Sequence, residues 1–339
     1  MKAVGLYRYL PIDHAESLLD IELPLPEPGP NDLRVAVRAI AVNPVDTKVR
    51  APKAQQESTP RVLGWDAAGV VDAVGRDVTL FKPGDRVYYA GDITRPGCNA
   101  EFQLVDERLV GPMPASLDFA AAAALPLTAI TAWEACFTRL GISPDGQDAG
   151  KTILIVGGAG GVGSIGIQLA RTLGRLTVIT TASRTESASW CRELGADHVI
   201  DHRGDLVAQV RALGLDTVDY IACFNDTDQH FPALAELIRP QGTIVTIVEN
   251  ARPLPVELLK SKSAAFAWEF MFTRAMFRTD DRIEQHRLLA RIADGIDAGR
   301  LRSTLGEVLG PIDATTLRHA HARLEAGHTI GKLVLEGWS

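Results

Sequence analysis

The spacing of apolar positions changes along the chain. Thr152 to Val156 is a continuous apolar run rich in β-branched residues, the pattern of a strand buried on both faces. Gly157-Gly158-Ala159-Gly160-Gly161-Val162-Gly163 comes next, and apolar residues then fall at Val162, Ile165, Leu169 and Leu173, which is helical spacing. The alternation continues downstream. Strands are predicted at Thr152–Val156, Leu176–Thr180, His198–Ile200, Asp219–Ala222 and Thr243–Val248. Helices are predicted at Thr185–Leu194, Leu206–Leu213 and Phe231–Ile238, with Gly195, Gly214 and Gly242 as helix ends or turns. Strands separated by helices imply an α/β fold with a doubly wound parallel sheet.

Residues 1 to about 125 read as β-rich. Short strands are predicted at Ala3–Leu6, Asp32–Ile40, Ala68–Val74, Arg86–Tyr89 and Glu101–Val105, divided by turn signals such as Pro26-Glu27-Pro28-Gly29-Pro30 and Pro83-Gly84-Asp85. From about Ala120 an alanine-rich helix leads through Pro126, Thr128 and Thr131 to Trp133 and Leu140. Beyond Val248 the alternation stops. Phe266 to Phe272 is aromatic-rich and suits an edge strand, a pocket wall or a subunit contact. Arg282–Ala298 and Ala314–Ala326 have helical spacing, and Lys332–Leu335 is a closing strand. The tail is expected to return to the first domain, giving 1–125 with 281–339 as one domain and 126–280 as the other.

Composition narrows the function classes. A chain of 339 residues suggests about two domains. Net charge is −7, with no basic run, so no nucleic-acid footprint is expected. The most apolar stretch, Leu117–Trp133, contains Asp118 and Pro126 and reads as buried protein rather than a membrane span. The N-terminus lacks a signal-peptide core, so a cytoplasmic location is expected. Cys98, Cys136, Cys191 and Cys223 are scattered without a CxxC pair, against a disulfide scaffold or a four-cysteine zinc site.

Strand, glycine turn and helix together form a dinucleotide fingerprint. Gly158, Gly160 and Gly163 fit its spacing. The first is expected to make the sharp turn, the second to admit a pyrophosphate, and the third to let the helix pack close. Backbone from Gly158 through Ala159, Gly160, Gly161 and Val162 to Gly163 would meet the phosphates at the helix N-terminus.

With these motifs in view, the chain resembles the medium-chain dehydrogenase/reductase superfamily over nearly its whole length. More narrowly, it resembles the quinone oxidoreductase (zeta-crystallin-like) branch, also labelled zinc-type alcohol dehydrogenase-like. The carrying motifs are VNPVDTKVR (Val42–Arg50), GWDAAGVVDAVG (Gly64–Gly75), FKPGDRV (Phe81–Val87), PLTAITAWEA (Pro126–Ala135), GGAGGVGS (Gly157–Ser164) and TIGKLVL (Thr329–Leu335). The resemblance implies a GroES-like barrel domain, a Rossmann domain and a homodimer. It also places Asn43 where zinc enzymes of the superfamily carry a cysteine, and Gly64-Trp65-Asp66 where they carry Gly-His-Glu. No zinc is therefore expected, since a catalytic site needs three protein ligands.

The cofactor expected is NADPH. An NAD site places an acid about 20 residues past the glycine turn; here Ser183 and Arg184 stand there, suited to a 2′-phosphate. A charge-assisted bond of that kind is worth about 10- to 100-fold in affinity. By resemblance, His202 aligns with a position beside the adenosine phosphate, with a surface histidine as the alternative, and Lys332 with a lysine near the cofactor, with an ordinary strand-flanking charge as the alternative. Also by resemblance, the loop carrying Asn43, Asp46, Thr47 and Lys48 faces the nicotinamide. Asp46 and Lys48 would form an ion pair or proton relay there, or Asp46 a turn cap. Thr128 would touch carboxamide or substrate, or bond its own helix backbone. Trp65, Tyr88, Trp268, Phe270 and Phe272 would supply an aromatic wall, or simply core. The expected activity is zinc-independent hydride transfer to a small quinone or α,β-unsaturated carbonyl. A zinc-type alcohol dehydrogenase and a non-catalytic cofactor-binding protein of crystallin type are the alternatives.

Overall fold

Leu33, Val35, Val37 and Ala39 alternate along the chain and all are buried on one face of strand Asp32–Ala41. That strand is the hub of its sheet. It pairs antiparallel with Ala67–Val74, Phe102–Asp106 and the closing strand Lys332–Glu336. A separate three-stranded sheet joins Lys2–Tyr9 to Leu19–Glu22 and Lys53–Val62. The last two of these are absent from the sequence expectation. Six of the ten residues of Lys53–Val62, KAQQESTPRV, are exposed and only Val62 is buried, so no apolar alternation marks it.

The computed structural model describes residues 1–339 and divides into two units. Met1–Leu127 with Phe272–Ser339 form the first, and Thr128–Met271 the second. Phe272 opens the returning segment of the first unit, and its ring packs edge-to-face on Trp65 at 6.1 Å. Phe119–Arg139 is long and apolar enough to cross a membrane, and 89% of its most apolar window is buried inside the protein.

In the second unit we number the elements of the central sheet. These are β1 (Thr152–Val156), α1 (Gly161–Thr172), β2 (Thr177–Thr181), α2 (Thr185–Glu193), β3 (His198–Ile200), α3 (Leu206–Ala212), β4 (Val218–Cys223), α4 (Thr227–Leu237), β5 (Ile238–Thr246) and β6 (Ala265–Trp268). All neighbouring pairs are parallel, in the order β3-β2-β1-β4-β5-β6. Ile153 and Ile155 of β1 face one core cluster, and Leu154 and Val156 face the other. The sheet is thus covered on both faces, which is why β1 reads as an unbroken apolar run. β6 is the edge strand. Gly242 lies inside β5, not at a helix end; a Cβ there would strike the Ile238 side chain at 2.7 Å. Gly195 and Gly214 do turn the chain, with φ of +106° and +83°.

The glycine turn and the buried ionic cluster

The carboxyl ends of β1, β2 and β3 lie side by side, and they carry most of the expected cofactor residues. After β1 the sharp turn is made by Gly157, whose φ is +87°. Gly158, expected to make that turn, has a different duty. A Cβ on it would sit 2.0 Å from Thr180 Oγ1, so its bareness lets the turn pack on β2. Gly160 caps α1, and a Cβ there would meet nothing closer than 3.6 Å, leaving open space beside the helix end. Gly163 lies against the turn itself: a Cβ would be 2.2 Å from the Gly157 carbonyl oxygen. The first-turn N–H groups of α1, from Gly161, Val162 and Gly163, have no intrahelical acceptor. A bare backbone, an open face at Gly160 and a helix N-terminus fit a diphosphate.

Ser183 and Arg184 follow β2, with Arg184 exposed at the start of α2. No carboxylate occupies that strand end. His202 follows β3 and meets His230 of α4 edge-to-face at 6.3 Å. Burial holds the His230 imidazole below its usual range. Sequence reasoning passed over Arg203, whose Nη2 donates to the Ser183 carbonyl at 2.7 Å. Its spacing from the glycine turn follows no fingerprint, so only tertiary contact reveals it.

In the first unit a second polar site is buried. Asn43 caps a short helix, Pro44–Arg50, so the expected loop is a helix start. Asp46 Oδ2 accepts from Asn43 N at 2.6 Å, the capping role. Asn43 Nδ2 donates to Asp66 Oδ2 at 2.9 Å. Leu127 N donates to Asp66 Oδ1 at 2.8 Å. Lys332 Nζ lies 3.0 Å from Asp66 Oδ2 and donates to the Val42 carbonyl at 2.8 Å and to Asn43 Oδ1. Asn43, Asp46, Asp66 and Lys332 are all nearly fully buried. Lys332 is therefore no ordinary charge flanking a strand.

Burial raises the carboxyl of Asp66, while Lys332 and the Asn43 and Leu127 donors oppose it. Burial also pushes Asp46 up, to about 7, against its bond from Asn43 and the Lys332 charge, with the Asp66 charge adding to the rise. Asp46 Oδ1 accepts no hydrogen bond. Both carboxyls are thus pushed toward the protonated form, with Lys332 opposing the rise in each.

The remaining candidates separate. Lys48 is exposed on the helix whose buried face carries Asp46, so their expected ion pair is not made. Thr47 Oγ1 donates back to the Pro44 carbonyl at 2.9 Å. Thr128 is buried in the helix Pro126–Trp133, as the first residue of the second unit. Tyr88 is core, its hydroxyl bonded to the Leu289 carbonyl at 2.6 Å. Trp65 and Phe272 are buried in the first unit, and Trp268 and Phe270 are each 46% exposed in the second.

Comparison with known proteins decides the family. Residues 29–115 match the alcohol dehydrogenase GroES-like domain, and residues 194–335 match the zinc-binding dehydrogenases. A zinc-type alcohol dehydrogenase-like protein of Staphylococcus aureus is 44% identical over 99% of both chains. The chain belongs to the medium-chain dehydrogenase/reductase superfamily. Within it, a Rhizobium etli structure provisionally described as a zinc-dependent alcohol dehydrogenase shares 52% identity and a TM-score of 0.96, covering 100% of this chain and 98% of that one. The quinone oxidoreductase of Coxiella burnetii shares 27% identity and a TM-score of 0.81, covering 99% of both chains. As a member of this superfamily the protein is an NAD(P)-dependent oxidoreductase with a GroES-like domain and a Rossmann domain.

The superfamily's zinc enzymes raise the question of a metal. The donor set does not fit one. An ammonium, Lys332, already lies against Asp66 and Asn43 and would repel a dication. Cys98 is the one cysteine in this neighbourhood, with its Sγ 3.5 Å from the Asp66 carbonyl oxygen, and burial raises its thiol above the ordinary range. Trp65 supplies no ligand atom, and no three His, Cys, Asp or Glu side chains converge.

Proposed function

We propose that the protein is a zinc-independent, NADPH-dependent reductase of small quinones or α,β-unsaturated carbonyls. The observation that carries this reading is the buried Lys332 ammonium, paired with Asp66 and bonded to Asn43 in a cluster whose donors do not suit a metal. Zinc normally polarises an alcohol or carbonyl oxygen. Without it, oxidation of a simple alcohol lacks its electrophile, whereas an electron-poor acceptor needs far less help. Bound nicotinamide supplies the hydride.

The chain's own residues divide the remaining work. The glycine turn and the first-turn N–H groups of α1 hold the diphosphate. Arg184, with Ser183, reads a 2′-phosphate at the end of β2. Lys332 and Asn43 keep Asp66 fixed, and Asp46, buried beside them, is drawn toward its protonated form. The similarity to a quinone oxidoreductase supports the acceptor class. The edge strand β6, which ends in the half-exposed Trp268 and is followed by Phe270, supports self-association as a homodimer, which sedimentation velocity tests.

The deciding assay follows nucleotide absorbance with NADPH or NADH and 9,10-phenanthrenequinone, small enones or simple alcohols, on protein of measured zinc content. We expect NADPH consumption with the first two classes, no alcohol oxidation and no stoichiometric zinc. Binding of NADPH without consumption across the panel would mean a non-catalytic protein. Arg184→Ala is expected to raise the KM for NADPH about tenfold and to leave that for NADH nearly unchanged; equal effects on both would sink the nucleotide assignment.

A further inference from the structure

We infer that Arg203 is a second phosphate-reading arm beside Arg184 and sets the preference for a nucleotide phosphorylated on its adenosine ribose. This rests on the NADPH reading above and adds a specificity residue to it. β2 and β3 are adjacent and parallel, with Thr181 opposite Ile200, so the loops that follow them leave the sheet together. Arg203 reaches from the β3 loop to the β2 loop. Its Nη2 donates to the Ser183 carbonyl at 2.7 Å, at the residue before Arg184. Its Nε and Nη2 also grip the Asp201 carboxylate, with Nη2 2.8 Å from Oδ2. Nη1 has no partner within the protein, and the side chain is 65% exposed.

The loop is built to hold the guanidinium there. Asp201 Oδ1 accepts from Arg203 N at 2.9 Å, and Gly204 N donates to the Asp201 carbonyl at 3.1 Å. The Gln209 amide closes the loop from α3: it accepts from Asp201 N and donates to the Asp201 carbonyl, both at 2.8 Å. A plain surface ion pair between Asp201 and Arg203 needs neither the Gln209 clasp nor the reach to Ser183. The arrangement has a second consequence. Asp201 is the acid at these strand ends that could accept from a ribose hydroxyl, and its carboxylate is already engaged by Arg203. Beside the end of β2 stand the Ser183 hydroxyl and the Arg203 fork that spans to its carbonyl. The planar fork of Arg suits phosphate better than a point charge does. In a dinucleotide-binding sheet the adenosine ribose lies at this strand end. A fork fixed before binding also loses little side-chain entropy when the phosphate arrives.

The test is nucleotide binding to the full chain by titration calorimetry, with 2′,5′-ADP and 5′-AMP as probes. The proteins compared are the wild type, Arg203→Gln, Arg203→Lys and Arg184→Gln. We expect the wild type to prefer 2′,5′-ADP. Arg203→Gln should weaken 2′,5′-ADP about tenfold and change 5′-AMP less than twofold, with Arg203→Lys recovering part of the loss. If Arg203→Gln leaves 2′,5′-ADP unchanged, or weakens both probes equally, Arg203 is a loop brace only and the inference falls while the NADPH reading stands. If the wild type does not distinguish the two probes, the NADPH reading itself falls, and this inference with it.

Discussion

The glycine turn of the second unit and the ionic cluster of the first are both polar sites, built in opposite ways. The turn is one contiguous segment, Gly157–Gly163, whose working atoms are backbone N–H groups and whose side chains are mostly missing. The cluster draws Asn43, Asp46, Asp66 and Lys332 from three distant segments, and its working atoms are side-chain charges almost fully out of water. A site made of bare backbone is stable because little has to be buried. A site made of buried charge is stable only while every partner is present. The two should therefore fail differently under mutation.

The sharpest test of that contrast is Lys332→Met. It leaves Asp66 buried with Asn43 and Leu127 as donors but no counter-charge. We expect a loss of about 3–5 kcal/mol in urea unfolding, and recovery of most of it in Lys332→Met with Asp66→Asn. A loss below about 1 kcal/mol would mean that water reaches the cluster. The glycine turn offers a graded pair. Gly163→Ala forces a Cβ against the Gly157 carbonyl and should cost about 1–3 kcal/mol while weakening nucleotide binding. Gly160→Ala meets open space in the free protein, so it should cost under about 1 kcal/mol and still weaken binding of the diphosphate. Equal stability losses for the two would contradict the assigned roles.

The smallest effect is the pH dependence of Asp46. Its folded-state value near 7 lies above the ordinary carboxyl value of 3.8, so the native state holds its proton more tightly than the unfolded chain does. The resulting stabilisation is complete below about pH 4 and is lost as pH rises through about 7. Asp46→Asn should flatten that part of the stability profile, measured as the urea midpoint between pH 4.5 and 8. His321 runs the other way. Burial and the facing Arg50 push its imidazole down to about 3, so its contribution is lost as pH falls below the usual histidine range. An unchanged profile in Asp46→Asn would show that Asp46 is ionised throughout.

The contrast also explains what could be read in advance. Most strands and helices of the second unit's sheet were legible, because parallel strands buried on both faces leave apolar runs and amphipathic helices leave a period; the start of β5 at Ile238 and the edge strand β6 were not fixed that way. In the glycine turn, the spacing was legible but not the division of labour. Only backbone angles assign the turn to Gly157, and only neighbours assign Gly158 to packing on Thr180. Strand Lys53–Val62 was illegible because it is polar and exposed. Arg203 was hidden because its partner, Ser183, comes from a neighbouring strand. The expected pair of Asp46 with Lys48 failed because two residues' separation on a helix puts side chains on different faces.

By itself, the order of residues determined the parallel α/β unit, the bare-backbone turn after β1 and the absence of a histidine or cysteine at Asn43 and Trp65, since each depends on local period or on which atoms a residue lacks. Tertiary structure alone decided which charges meet. Lys332 reaches Asp66 and Asn43 across nearly the whole chain, and its energy comes from being dry and paired. Dryness and pairing are properties of the packed neighbours, and no local stretch of sequence encodes them.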